Sequence, residues 1–263
     1  GAVGALYVTD ILTMYIAEGQ KIGCNGILDY DNQISAHTAL TSFAEVLKEA
    51  SAKYLDIDPI ELNVGIQKKK EISCGTAQIF MADALENGAG YTRHIFKSNN
   101  LKDVLLGFYN DLQKFWESDR HANCDRSCYE CLRNYSNRHI HPNLDWRLAL
   151  DICEIVLGID LKTERWLEKA ETFANTFQTL CNGYGIETQI EYLSGLIGIK
   201  NNNQALILCH PLWHSREGLI QDQQDEAKME LVAKYPSINY EYVDIRDFQH
   251  KPQNYIQKIM NQT

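Results

Sequence analysis

The spacing of apolar residues along this chain predicts helices and strands in alternation. Residues 6–16 (LYVTDILTMYI) are apolar and β-rich and predict a strand. Gly19, Gly23, Asn25 and Gly26 mark turns behind it. From His37 to Tyr54, Leu40, Phe43, Ala44, Leu47 and Ala50 recur at helical spacing. Ile60, Leu62, Val64 and Ile66 alternate with Glu61, Asn63 and Gly65, a strand pattern, and residues 77–83 (AQIFMAD) predict another strand. Leu101 to Trp116 carries a clear apolar stripe. Leu144 to Leu157 carries a second, with Cys153 on its inward side.

The pattern breaks near Gly158–Lys162, which predicts a boundary between a domain at 1–160 and a module at 161–263. A long helix from Thr163 to Leu180 opens the second part. Strands follow at Glu187–Leu193, Leu196–Lys200 and Ala205–His210, then a helix at Asp225–Tyr235, a strand at Ile238–Val243 and a short helix after Pro252. The fold class is therefore α/β (α+β): a mixed sheet with helices and a small cysteine-rich insertion, plus a smaller C-terminal α/β module.

Between the two stripes 101–116 and 144–157 lies the densest chemistry in the chain. Cys124, Cys128 and Cys131 stand at C-x3-C-x2-C spacing, beside Asp125, Arg126, Ser127 and Glu130. Such polar neighbours do not suit core thiols. Sulfur and imidazole donors this close point to Zn2+ or an iron–sulfur cluster. His141, ten residues after Cys131, is the first choice for a fourth ligand. His121, His139 and Cys74 are the alternatives. The same spacing occurs in radical-SAM enzymes, but Glu130 occupies the place where those enzymes usually carry an aromatic residue, and the motif lies mid-chain.

Net charge of −10 excludes broad attraction of phosphate over the surface, so nucleic-acid contact must be focused. Arg126, Arg133, Arg138 and Arg147 around the cysteines, and Lys68–Lys70, are the candidates; pairing with Asp125, Glu130 and Asp145 is the competing role for the arginines. Tyr129 and Tyr135 are placed either to stack on bases or to pack on the metal loop. Scattered cysteines fit a reducing cytoplasm. No apolar run approaches membrane-spanning length, so no membrane partner is expected. The first residues lack both a basic n-region and an initiator Met, which suggests a piece of a longer protein.

Enzyme motifs are sparse. There is no G-x-x-x-x-G-K-[ST] loop, and Gly88-Ala89-Gly90 reads as a tight strand-to-helix turn more readily than as an anion cradle. Glu191 and Lys200 hint at a nuclease-like module, without the D…E-x-K arrangement that would hold Mg2+. His210-Pro211-Leu212-Trp213-His214 follows an apolar strand and reads first as a structural turn. No catalytic residue is assigned.

Cys124-x3-Cys128-Tyr129-x-Cys131-Leu132-Arg133-x-Tyr135-x-Asn137-x3-His141-x2-Leu144-Asp145 resembles the cysteine-rich segment of the MrfA-like zinc-binding domain. Val8–Leu12 is similar to that family's opening strand, and Asp83-Ala84 with Gly88–Tyr91 to its D-x-x-x-GGAGY segment, Asn87 standing where the first glycine is common. The resemblance covers roughly residues 5–157. Members with four cysteines are the best known, whereas this chain offers three and histidines. The resemblance implies a structural Zn2+ in a bacterial, cytoplasmic, non-motor accessory domain near the C-terminus of a superfamily-two helicase, or of a DISARM- or Druantia-type phage-defence or DNA-repair protein. It implies DNA and the helicase motor domains of the same chain as partners, with further defence or repair proteins. ATP would belong only to the motor part, and this segment itself would not be catalytic.

Overall fold

The computed structural model describes residues 8–15, 33–68, 77–97, 100–118, 121, 124–215 and 218–260. They form a mixed α/β structure with two sheets. The chain divides into two compact units, one holding the described residues 8–15 and 36–161, the other 33–35 and 162–260.

In the first unit, β1 (Ile11–Tyr15), β2 (Leu62–Lys68) and β3 (Ala77–Asp83) form an antiparallel sheet in the order β1-β3-β2. Leu12 faces Met81 and Met14 faces Ile79, while Val64 and Ile66 meet Met81 and Ile79 from the other side. Period-two alternation thus puts one apolar face toward the helices. Helix α1 (Ile34–Leu55) is buried nearly all round, because Ala36, Ala39, Ala44 and Ser42 let its neighbours approach closely. Leu40 and Phe43 of α1 line a small space with Met14, Ala77 and Ile79 of the sheet. Ile152 and Val156 of α4 (Trp146–Leu157) close it.

The turn after β3 is built around Asp83, which is fully buried. Its carboxylate accepts hydrogen bonds from the backbone N–H groups of Ala89 (2.8 Å), Tyr91 (3.1 Å) and Thr92 (2.9 Å). The last two are free donors in the first turn of the short helix α2 (Tyr91–Phe96), and Ala89 lies just before its N-cap, Gly90. The Gly88–Gly90 segment therefore does cradle an anion, but the anion is the chain's own carboxylate. Asn87 adopts φ 69°, a left-handed conformation that Asn tolerates better than most residues. Gly88, at φ 72°, lies against Asp10, where a Cβ would come within 3.1 Å of the Asp10 backbone nitrogen. Helix α3 (Asn100–Glu117) follows and packs on α4 through Val104, Leu105, Phe108 and Leu112. Cys153 is fully buried in that core, as its inward position predicts.

The second unit holds a sheet in the order β4 (Gln189–Leu193), β5 (Leu196–Lys200), β6 (Gln204–Cys209), β7 (Asn239–Asp244). The first three strands run antiparallel, and β6 and β7 are parallel. Strands β5 and β6 are buried along their whole length. Continuous apolar runs such as ALILC suit strands covered on both faces. Helix α5 (Glu164–Gly183) packs on β4, β5 and β6, and α6 (Asp222–Lys234) on β4 and β5. The β4–β5 hairpin turns through Ser194 (φ 48°) and Gly195 (φ 83°), the two left-handed residues of a tight primed turn. Two short helices, α7 (Ile245–His250) and α8 (Pro252–Met260), finish the unit; the sequence predicts only the second.

Losing the Asp83 carboxylate would leave three N–H groups, the buried one of Thr92 among them, without that acceptor. Asp83→Ala is expected to destabilise the chain by about 2–4 kcal/mol, and Asp83→Asn by less, because one oxygen is kept. Urea unfolding of both variants checks this; equal stability of Asp83→Ala and the parent would contradict it.

Candidate metal centre

Helix α3 ends at Glu117, and the chain then turns back through a run of local hydrogen bonds. The His121 N–H donates to Ser118 O (3.0 Å) and the Cys124 N–H to His121 O (3.0 Å). Further on, the carbonyl of Cys128 accepts the N–H groups of Cys131 (3.2 Å), Leu132 (3.1 Å) and Arg133 (2.9 Å). This knot puts Cys128 and Cys131 on one side of a tight turn. The Cys128 N–H points at the Cys131 sulfur at 3.0 Å.

The imidazole of His121 joins the three sulfurs. One ligand atom from each of His121, Cys124, Cys128 and Cys131 lies within 4.8 Å of all the others. Cys124 Sγ and Cys131 Sγ are 3.9 Å apart, and Cys128 Sγ and His121 Nε2 are 3.6 Å apart. A tetrahedral zinc with bonds of about 2.3 Å to sulfur and about 2.0–2.1 Å to nitrogen requires edges of roughly 3.8 Å and 3.6 Å. Both observed separations fit such edges. The donor set, one nitrogen and three sulfurs, is also that of Cys3His structural zinc sites. A three-cysteine iron–sulfur cluster with one open iron is not favoured by a four-donor group.

Aromatic packing decides where the His121 ring sits. Phe115, in the last turn of α3, stacks on it at 4.3 Å with an interplanar angle of 22°. Trp146, the first residue of α4, meets it edge-on at 6.1 Å. His121 is 3 % exposed, so its ring has little freedom to leave the sulfurs. The cysteines are half-buried. Hydrogen bonding from the Cys131 thiol, with the nearby Arg147 charge contributing, pulls the Cys124 thiol down to about 6. That same bond, together with burial, pushes the Cys131 thiol up. Of the two, Cys124 therefore gives up its proton more readily, and a metal ligand must be a thiolate.

His141 is not in the group. Its Nε2 lies 2.9 Å from Asn137 Oδ1 and 3.1 Å from Asn134 O. Both partners are acceptors, so that nitrogen carries a proton and acts as a donor. Asn137 Nδ2 in turn donates to Glu45 (3.1 Å) and to Leu132 O (2.9 Å), and Asn134 Nδ2 donates to Glu49 (2.8 Å). After Cys131 the chain therefore docks on α1 instead of returning to the sulfurs. Sequence spacing alone left His121 as an alternative, because the stacking partners Phe115 and Trp146 are visible only in three dimensions. His139 is exposed on the 3-10 helix Arg138–Asn143, and Cys74 lies outside the described residues.

The four arginines fall in different places. Arg147 is 6 % exposed, and its Nη1 donates to Cys124 O (2.8 Å) and Asp125 O (2.9 Å), bracing the metal loop from below. Arg133 Nε donates to Ser127 Oγ at 2.9 Å. Arg126 is half-buried, and its carbonyl accepts the N–H of Trp146 at 3.0 Å. Arg138 is exposed and lies over the Tyr135 ring, 4.7 Å from its centroid. Lys68 ends β2, and Lys69 and Lys70 lie outside the described residues.

In the second unit, Glu191 accepts a hydrogen bond from Tyr235 (2.6 Å), while Lys200 sits over that ring at 4.2 Å. Among the described residues, the only metal-capable group is the one at His121 and the cysteines. This arrangement does not favour the nuclease-like reading. His210 is fully buried beside Trp166 and Trp213, a packed turn at the end of β6.

Two helices, a knotted loop and four convergent soft donors define a metal-binding domain. Residues 43–132 match the family described as the MrfA Zn-binding domain. Over 162 residues, 59 % of this chain, the sequence is 30 % identical to the Druantia protein DruE of Escherichia coli (strain UMEA 4076-1). The match spans only 8 % of that much longer relative. A crystal structure of the DUF1998 helicase MrfA bound to DNA aligns with half of this chain and 16 % of its own, at 17 % identity and a TM-score of 0.35. Residues 43–132 thus resemble a MrfA-type zinc-binding domain, and the cysteine–histidine group lies at the C-terminal end of that match.

If His121 completes the tetrahedron, His121→Ala should weaken zinc binding by at least about a hundredfold, whereas His141→Ala should keep the full zinc content. Competition with a chromogenic chelator measures both. Full loss of zinc in His141→Ala with retention in His121→Ala would reverse the assignment.

Proposed function

We propose that this chain is an accessory segment of a helicase-type defence protein, in which a structural zinc shapes a surface that engages DNA. The observation that carries the reading is the convergence of His121, Cys124, Cys128 and Cys131. Four protein donors leave zinc no open position, so its contribution is folding energy and not chemistry on a substrate. The Zn2+ would tie the end of α3 to the start of α4, where Trp146 and Arg147 already support the loop. The motor domains of the longer chain, which bind ATP in this reading, are its natural partners in a bacterial cytoplasm.

The DNA component rests on the relationship to helicase-type proteins and on local charge. From Cys131 to Leu144 the sequence holds Arg133, Arg138, His139 and His141 and no Asp or Glu, in a chain whose net charge is −10. Glu45 and Glu49, the acids that meet this stretch from α1, are turned to Asn137 and Asn134. A compact basic focus on an acidic chain is what local phosphate contact requires.

Purified chain is expected to contain about one zinc and no iron–sulfur absorbance, and to lose cooperative unfolding when the metal is chelated. It should bind DNA weakly and in a salt-sensitive manner. The double variant Arg133→Ala/Arg138→Ala, checked for zinc content, should lower the slope of log affinity against log salt by about one per lost phosphate contact. An unchanged slope in zinc-replete variant would remove DNA contact from this face and leave the domain as a packing element of the longer protein.

A further inference from the structure

Two tyrosines on the metal loop are turned outward. Tyr129 is 73 % exposed and Tyr135 is 79 % exposed, although each ring could bury a large apolar area against the loop. Neither is loosely placed. The Arg138 guanidinium lies over one face of the Tyr135 ring, 4.7 Å from the centroid, and its Nη1 donates to the Tyr135 hydroxyl at 2.7 Å. That leaves the opposite face of the ring to solvent. Tyr129 meets the His141 ring at right angles, 5.7 Å between centroids at 87°, and still leaves most of its own ring to solvent. His141 is itself fixed by Asn134 and Asn137. Two exposed tyrosine rings therefore stand on the metal loop, Tyr135 within the acid-free stretch 131–144 and Tyr129 just before it, next to Glu130.

We infer that Tyr129 and Tyr135 form a stacking platform for the unpaired bases of single-stranded DNA. This rests on the proposal that the metal loop engages DNA, and it names the form of DNA and the atoms that meet it. A flat ring with an open face and a guanidinium behind it suits a nucleobase, since every base offers a π-face whatever its sequence. In a duplex those faces are covered by neighbouring pairs, so only unpaired nucleotides present them. Arg138 serves twice, orienting the Tyr135 ring and placing positive charge beside the adjoining phosphate. The role of the zinc is indirect: it holds the turn from which Tyr129 projects, between ligands Cys128 and Cys131.

The test uses the whole zinc-loaded chain and two fluorescent strands of equal length and charge, twenty thymidines or twenty abasic tetrahydrofuran units. Parent protein should bind the thymidine strand at least about tenfold more tightly, the increment of stacking two bases. Tyr129→Leu/Tyr135→Leu should bind both strands alike, and Tyr129→Phe/Tyr135→Phe should keep the preference, because the rings remain. The salt slope should be the same in parent and Leu variant, since phosphate contacts are untouched. If the double Leu variant loses zinc, Tyr135→Leu alone carries the comparison and should reduce the preference severalfold. Equal binding of both strands by the parent overturns the platform while DNA engagement stands. A zinc-replete Leu variant that keeps the preference also overturns it. No binding of either strand by the parent overturns both proposals.

Discussion

Three sulfurs and an imidazole nitrogen held within 4.8 Å of one another are the constraint around which the contacts at the end of α3 and the start of α4 are arranged. The hydrogen bond between the Cys124 and Cys131 thiols moves them in opposite directions, Cys124 down and Cys131 up. A divalent ion held by His121, Cys124, Cys128 and Cys131 would take each donor in its deprotonated form. The protein prepares for this with a second layer of contacts. Phe115 and Trp146 fix the histidine ring, and Arg147 holds the carbonyls of Cys124 and Asp125.

Those contacts explain why the site sits where it does. Its supports come from α3 and α4, which pack on each other, so the cysteine loop is stretched over a helix junction instead of standing apart. On its other side the loop is joined to α1 by two amide–carboxylate bonds, a buried one from Asn137 to Glu45 and a partly buried one from Asn134 to Glu49. Burial raises the proton affinity of Glu49, and the hydrogen bond from Asn134 partly offsets this. The α4 start is tied to α1 as well, through the Asp145 N–H and Ser42 Oγ at 2.7 Å. A single short stretch is thus braced by three helices.

Much of this organisation is legible in the sequence because it follows from period and residue type. Strand β3 coincides with its predicted limits, and α1, α3 and α4 fall within a few residues of theirs, since their apolar residues recur with clear spacing. Short elements were less visible. Helix α2 has six residues, too few for a stripe, and exists because Asp83 caps it from a distance of several residues. The same carboxylate settles the Gly88–Gly90 turn, whose shape suggests an anion site without saying which anion.

What the sequence determines by itself is the chemistry: three cysteines at C-x3-C-x2-C spacing, histidines near them, and a family likeness centred on that motif. Covalent spacing restricts which donors are close enough to share a metal, and residue type restricts which metal they prefer. The choice between His121 and His141 was beyond it. Both lie within reach of the cysteines along the chain, and the decision depends on groups far away in sequence. Phe115 and Trp146 claim one ring by stacking, while the Asn134–Asn137 network, anchored on Glu45 and Glu49, claims the other by hydrogen bonding. Tertiary structure likewise separated the arginines, burying Arg147 under the loop and leaving Arg138 on the surface, because a guanidinium goes where unpaired carbonyls or open solvent await it.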